Sequence, residues 1–298
     1  MYLQQIQFSA MGTRCDLQLY TASQRQARQV RDIVIADVSR LEKRYSRYLP
    51  GSYLSEINRC AAGGGSISVD EETAGLLNYA DTCYRESGGL FDISSGVLRK
   101  LWAKDQLKNG LPDAAAIAVL LDRVGWQKLQ WTGSQLTFTQ AGMELDMGGI
   151  VKEYAADRSC NLCRENGIEY GLVNLGGDIA IIGPHADGSP WNIAVRHPSD
   201  PSVPLTTLQL SSGALASSGD YERCVMIADK RYGHIINPIT GWPTHELVAV
   251  SVHADFCLVA GSAATIGMLK EHAGKTWLAE LGLSHVWMDV DGDSFVDF

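Results

Sequence analysis

No run of apolar residues in this 298-residue chain approaches the roughly 18 needed to cross a bilayer, so no membrane-spanning helix is expected. Cations are also in short supply. The chain has 25 Lys and Arg against 34 Asp and Glu, a net charge of -9. Duplex nucleic acid and anionic membranes select clustered Lys and Arg, so neither is an expected partner. The opening stretch MYLQQIQFSAMGT lacks a basic segment leading into an apolar one, the mark of a secretory signal, and a cytoplasmic location is expected. Seven cysteines are odd in number and without framework spacing, which argues against a disulfide scaffold and suits a reducing compartment. Cys160 and Cys163 form a CxxC inside a helix-patterned stretch, but no second CxxC or histidine pair follows, so neither zinc nor redox chemistry is expected there. Low-complexity linkers are absent as well. With 45% hydrophobic and 20% charged residues, the chain reads as one globular unit over 1–298, its two lobes joined around Gly142.

Within those limits, strand and helix patterns mix without a repeated βαβ unit. Strand patterns fall at Tyr2 to Phe8, Cys15 to Tyr20, Tyr170 to Asn174, Ile179 to Ile182, Trp191 to Val195, Thr207 to Leu210 and Val248 to Val252. The clearest helix runs from Gln24 to Leu41, where Val30, Ile33, Val34, Val38 and Leu41 make an apolar stripe behind the cap Ser23. A second covers Glu71 to Glu86 behind Asp70. Others cover Asp113 to Leu121, Lys152 to Asn166, Leu258 to Leu269 and Lys275 to Leu281. Hairpin-spaced strands with segregated helices predict an α+β fold.

Five segments carry candidate chemistry. In the first, from Ala216 to Pro243, a hydroxyl-rich turn (Ser217, Ser218, Gly219) precedes Tyr221, and Cys224 to Ala228 alternates like a strand. His234 then precedes Asn237-Pro238 and Gly241, which enclose a tight turn. A histidine held near such a turn can move a proton close to neutral pH, although a capped structural histidine has the same pattern. Met11-Gly12-Thr13 forms a bend between two strands. Ser87-Gly88-Gly89 ends a helix and presents Phe91 beside Asp92, a carboxylate that a helix cap does not explain. The run LDMGGIVK brings a flexible glycine pair into a helix with Lys152 in its first turn, an arrangement suited to an anion. The fifth segment, NLGGD from Asn174, is a close-approach turn and does not have the G-x-G-x-x-G spacing of a dinucleotide fingerprint.

In their order these segments resemble the ApbE-type flavin transferases. The matching pieces are MGT at Met11, SRYLPGSYLSEIN from Ser46, GGLFDISSGVL from Gly88, LDMGGIVKEYAAD from Leu145 and VNLGGDI from Val173. SSGDYER from Ser217, RYGHIINPITGWP from Arg231 and AGSAAT from Ala260 complete the set. The resemblance implies an α+β fold of two joined subdomains, with mixed or antiparallel sheets flanked by helices and a FAD cleft between them. It also implies Mg²⁺-dependent transfer of FMN from FAD to a Ser or Thr hydroxyl of a target flavoprotein, with release of AMP. By the same resemblance, Met11, Tyr48, Gly89, Leu90 and Phe91 line the cleft, Asp146 holds a polar edge, and Ser218 and Ile235 lie against the ligand. Lys152 would contact the pyrophosphate and His234 would be the essential histidine. The Gly149 carbonyl and the Thr265 hydroxyl would ligate the metal.

Three positions depart from the family pattern. Gly261 stands where an Asp ligand to magnesium is usual, Glu153 replaces a usual Gly, and Ser217 replaces a usual Thr. Mg²⁺ is ordinarily held by one or two carboxylates plus phosphates. Two outcomes follow for this chain: weak metal binding without FAD, or a displaced acid such as Asp255 or Glu153 in the missing place. Three functional readings stay open at this level: a flavin transferase, a FAD pyrophosphatase yielding FMN and AMP, and a non-catalytic flavin-binding protein.

Overall fold

Two nine-residue strands, β1 (Tyr2–Ala10) and β2 (Thr13–Thr21), form a hairpin closed by Met11 and Gly12. Their φ values of 52° and 71° make the primed turn whose twist matches that of the strands. The computed structural model describes every residue except Asn109, Glu222 and Asp229, so Glu222 of the SSGDYER motif lies outside the described residues. Helix α1 (Gln24–Tyr45) has the anticipated cap, Ser23 Oγ accepting from the Gln26 amide at 3.2 Å, and runs a turn past Leu41.

Helix α2 (Tyr53–Gly63) was not among the expected helices, although Ser52 caps it and Leu54, Ile57 and Ala61 bury one face. After β3 (Ser66–Ser68) comes α3 (Glu71–Glu86), with the expected bounds and with Asp70 accepting from the Thr73 amide at 3.1 Å. The short helices α4 (Lys104–Leu107) and α5 (Ala114–Leu121) precede β4 (Leu129–Trp131) and β5 (Gln135–Phe138), and β3-β5-β4 make a small antiparallel sheet. The chain leaves that sheet at Gly142, whose amide donates to the Ala61 and Ala62 carbonyls at the end of α2.

The remaining elements are α6 (Val151–Glu165), β6 (Gly171–Leu175), β7 (Asp178–Gly183), β8 (Trp191–Arg196), β9 (Pro204–Leu210) and β10 (Ala214–Gly219). They continue through β11 (Val225–Ile227), β12 (Lys230–Tyr232), β13 (Leu247–Ala254), α7 (Cys257–Leu269), α8 (His272–Glu280), β14 (His285–Asp289) and β15 (Ser294–Asp297). Eight strands form the main sheet in the order β1-β2-β6-β7-β10-β13-β14-β15, each pair antiparallel. The fold is therefore α+β, as its patterning implies. Successive side chains point to opposite faces. Val173, Ala180, Ile182, Ala214 and Ala216 accordingly join the core under α1, α6 and α7, while Leu172, Ile181 and Leu215 pack against the β8–β9 hairpin. Cys160 and Cys163 are core residues of α6, with Cys160 Sγ bonded to the Ala180 carbonyl at 3.2 Å. None of the described helices is long and apolar enough to cross a membrane.

Two local expectations are corrected here. Ser217, Ser218 and Gly219 are not a turn. They end strand β10, paired with β13 from Ala214↔Ala254 to Gly219↔Ala249. Small polar residues carry little strand signal, but the long neighbouring strand β13 pairs with all three of them. Asp92, for its part, is a structural strut. Its Oδ1 accepts from the Ser94 amide at 2.8 Å and its Oδ2 from the Trp126 amide at 2.9 Å, with the carboxyl buried. Asp92→Ala should cost about 1–3 kcal/mol for each amide left buried without an acceptor, read by denaturant unfolding. A loss under about 0.5 kcal/mol would mean that water replaces the carboxylate.

Candidate active site

The β1–β2 turn lies against the β6–β7 turn. The Gly176 amide donates to the Arg14 carbonyl at 3.0 Å, and a Cβ at Gly176 would stand 2.5 Å from Thr13, so this contact requires glycine. The β6–β7 turn leads into Asp178, 1% exposed, which accepts from the Ser217 amide at 3.3 Å and ion-pairs with Lys152 Nζ at 2.6 Å. Burial opposes the charge on Lys152, but the Asp178 and Glu153 carboxylates hold it protonated well above the ordinary lysine range. Glu153, the next residue of α6, is buried with its Oε2 free of any partner. Burial, then repulsion from Asp178, raises its pKa despite the attraction of Lys152.

Glu153 lies against Gly261 of α7, where a Cβ would meet Glu153 Cγ at 2.5 Å. One helical turn further along α7, Thr265 Oγ1 bonds Ser218 Oγ at 2.8 Å. Lys152, Glu153, Asp178, Ser218, Gly261 and Thr265 thus converge from α6, β7, β10 and α7. Asp157 fixes the α7 end of this group by accepting from the Cys257 and Leu258 amides at 2.8 and 2.9 Å.

A second group comes from the loop between α1 and α2 and from the strand-like segment before α6. Arg47 ion-pairs with Asp146, whose Oδ1 also accepts from the Gly148 amide at 2.9 Å. The Arg47 guanidinium also covers the Tyr48 ring, 4.9 Å from its centre, and donates to the Tyr48 hydroxyl at 2.8 Å. Tyr48 itself is 73% exposed, so its ring is free to stack on a planar ligand. Phe91 is buried with its ring edge 3.4 Å from where a Gly149 Cβ would stand, which keeps that backbone bare. Gly89 and Leu90 are half-buried beside it.

His234 follows β12, and Ile235 behind it is buried and accepts from the Thr244 amide at 2.9 Å. The turn beyond is built as its residues imply: the Gly241 amide donates to the Asn237 carbonyl at 2.8 Å and Asn237 Oδ1 accepts from the Ile239 amide at 2.9 Å. Trp102 pins it by donating to the Gly241 carbonyl at 2.9 Å. The pKa of His234 falls to about 4, through desolvation by the surrounding protein and then the charge of Arg223, with Arg47 and Lys152 adding to it and a backbone bond to Arg223 opposing. The ring keeps solvent access, which screens part of this, but the direction leaves a neutral imidazole at pH 7. Since kcat/KM reports the free enzyme, its acid limb should lie well below the ordinary histidine value of about 6.5. A pH profile with a limb at about 6.5 or above would show that the three cations do not act on the ring.

Three cations act on one histidine in a chain of net charge -9, two of them paired with Asp146 and Asp178, an arrangement suited to an anionic ligand. The ApbE family model matches residues 11–287, which spans every residue of this constellation. The chain belongs to the ApbE family. A FAD:protein FMN transferase of Klebsiella pneumoniae is 31% identical over 250 residues, 81% of this chain and 74% of its own. One from Treponema pallidum is 28% identical over 294 residues, 89% of this chain and 80% of its own. The ApbE protein of Thermotoga maritima superposes with a TM-score of 0.89 at 27% identity, covering 99% of this chain and 97% of that one.

Against the ApbE expectation, Lys152, Ser218 and Thr265 meet in one group, and Asp146, Gly149 and Phe91 lie around the segment leading into α6. Met11 closes the neighbouring hairpin, and Tyr48 stands at the surface. Arg47, Arg223 and Asp178 were missed as individual residues although each lies inside a matching motif. Cations inside such motifs, in an acidic chain, were the available signal. Among the described residues no three His, Cys, Asp or Glu side chains converge as a metal site. Magnesium bound partly by phosphate needs fewer protein ligands. The unpartnered Glu153 oxygen and the half-buried Thr265 hydroxyl are hard oxygen donors that fit such a site.

Proposed function

We propose that this protein transfers FMN from FAD to a Ser or Thr hydroxyl of a target flavoprotein and releases AMP, in a Mg²⁺-dependent reaction. The observation that carries the reading is His234 held neutral among Arg47, Arg223 and Lys152. A neutral imidazole accepts the proton of the incoming hydroxyl, and the surrounding cations oppose the charge growing on the pyrophosphate. The hydroxyl oxygen bonds to the FMN-side phosphorus, the bridging P–O bond breaks, and the proton leaves with AMP. Lys152, at the opening of α6, binds the pyrophosphate, while Tyr48 offers a ring for stacking. The Gly149 carbonyl, the Thr265 hydroxyl and a carboxylate from the contact between α6 and α7 would hold Mg²⁺, which would supply further neutralisation of phosphoryl charge.

Incubation with FAD and Mg²⁺, with and without a Ser/Thr acceptor peptide, tests the reading. AMP together with a peptide heavier by one FMN is the expected result. AMP with an unmodified peptide would assign a FAD pyrophosphatase instead, and no AMP a flavin-binding protein.

A further inference from the structure

We propose that Glu153 supplies the carboxylate that holds a divalent cation at the contact between α6 and α7, in the space that Gly261 leaves open. The inference rests on the flavin-transferase reading and deepens it. Glu153 is 7% exposed and its Oε2 has no partner, although a buried carboxylate is costly unless something pairs with it. Lys152 is not available to do so alone, because its ammonium ion-pairs with Asp178 at 2.6 Å. Two carboxyl groups thus face one ammonium, and the second of them, Glu153, keeps an oxygen with no partner of its own.

The geometry places that carboxyl group. A Cβ built at Gly261 would stand 2.5 Å from Glu153 Cγ, 3.1 Å from Cδ and 3.2 Å from Oε1, so the Glu153 side chain fills the volume in front of residue 261. A carboxylate can therefore stand at 153 or at 261, but not at both. Thr265 lies four residues beyond Gly261, on the same helical face. The other candidate acid, Asp255, is exposed before the first turn of α7, on the far side of the amides that Asp157 caps.

The test is Mn²⁺ alone, titrated into the FAD-loaded chain and followed by the electron paramagnetic resonance of the free ion. Wild type should bind it, Glu153→Gln should bind at least about tenfold more weakly, and the double variant Glu153→Gly/Gly261→Asp should return to within about threefold of wild type, in line with one carboxylate moved and not removed. Thermal melts confirm folding, and if Glu153→Gln does not fold the double variant decides. Binding by Glu153→Gln equal to wild type, or none by the double variant, would overturn the role of Glu153 while leaving the Mg²⁺-dependent reading standing. Failure of wild type itself to bind Mn²⁺ would overturn both.

Discussion

Replacing His234 by Ala is expected to lower AMP release by about 10²- to 10⁴-fold while FAD affinity stays within a few-fold. The imidazole is a neutral base among Arg47, Arg223 and Lys152. Binding should survive, because the cations that hold a pyrophosphate belong to other elements. Loss of the imidazole also removes a group that must charge on acid unfolding. Its folded pKa lies below its unfolded one, so the stability it contributes above about pH 6.5 is lost as pH falls toward about 4. His234→Ala should therefore be less sensitive than wild type to acid in that window. Single-turnover kinetics and FAD titration separate the two roles. Rate and affinity falling together, with a lowered melting temperature, would identify His234 as a structural residue.

Lys152→Ala has the other large expected effect, and it falls on stability as well as on binding. Asp178 is 2% exposed at its side chain and Glu153 is buried beside it, so removing the ammonium leaves two facing carboxylates without a counter-charge. Breaking a buried pair from one side costs about 3–5 kcal/mol. FAD should in addition bind about 1.5–3 kcal/mol more weakly, the loss of one hydrogen bond to a charged group. The stability loss should depend on pH when measured in EDTA. Glu153 has its pKa raised in the fold, so the stability it contributes is present below the ordinary carboxylate value and is lost as pH rises through the raised one. Without Lys152 that rise is larger, and the variant should be penalised more at about pH 8 than at about pH 6. A loss under about 1 kcal/mol at both pH values would place the pair among solvent-screened surface bridges.

The sequence by itself determined the elements whose cause is local. Helix α3 has its expected bounds because Asp70 caps it and its apolar residues recur at helical spacing. The Asn237–Gly241 turn follows from residues that set their own backbone angles, and the order of the short motifs was enough to reach the family. Roles that depend on through-space partners were decided only by the tertiary structure. Asp92 reads as available for chemistry, but its oxygens are taken by the nearby Ser94 amide and by the Trp126 amide of a distant turn. Ser217 and Ser218 read as a turn because their own propensity is weak, and pairing with β13 makes them a strand. Glu153 and Gly261 are two unrelated departures in the sequence, and packing of α6 on α7 brings them into contact. The neutrality of His234 likewise comes from desolvation by the surrounding protein and then from Arg223, Arg47 and Lys152. Periodicity records which way a side chain points along its own element, whereas charge and hydrogen bonding act between elements that only the folded chain brings within a few ångströms.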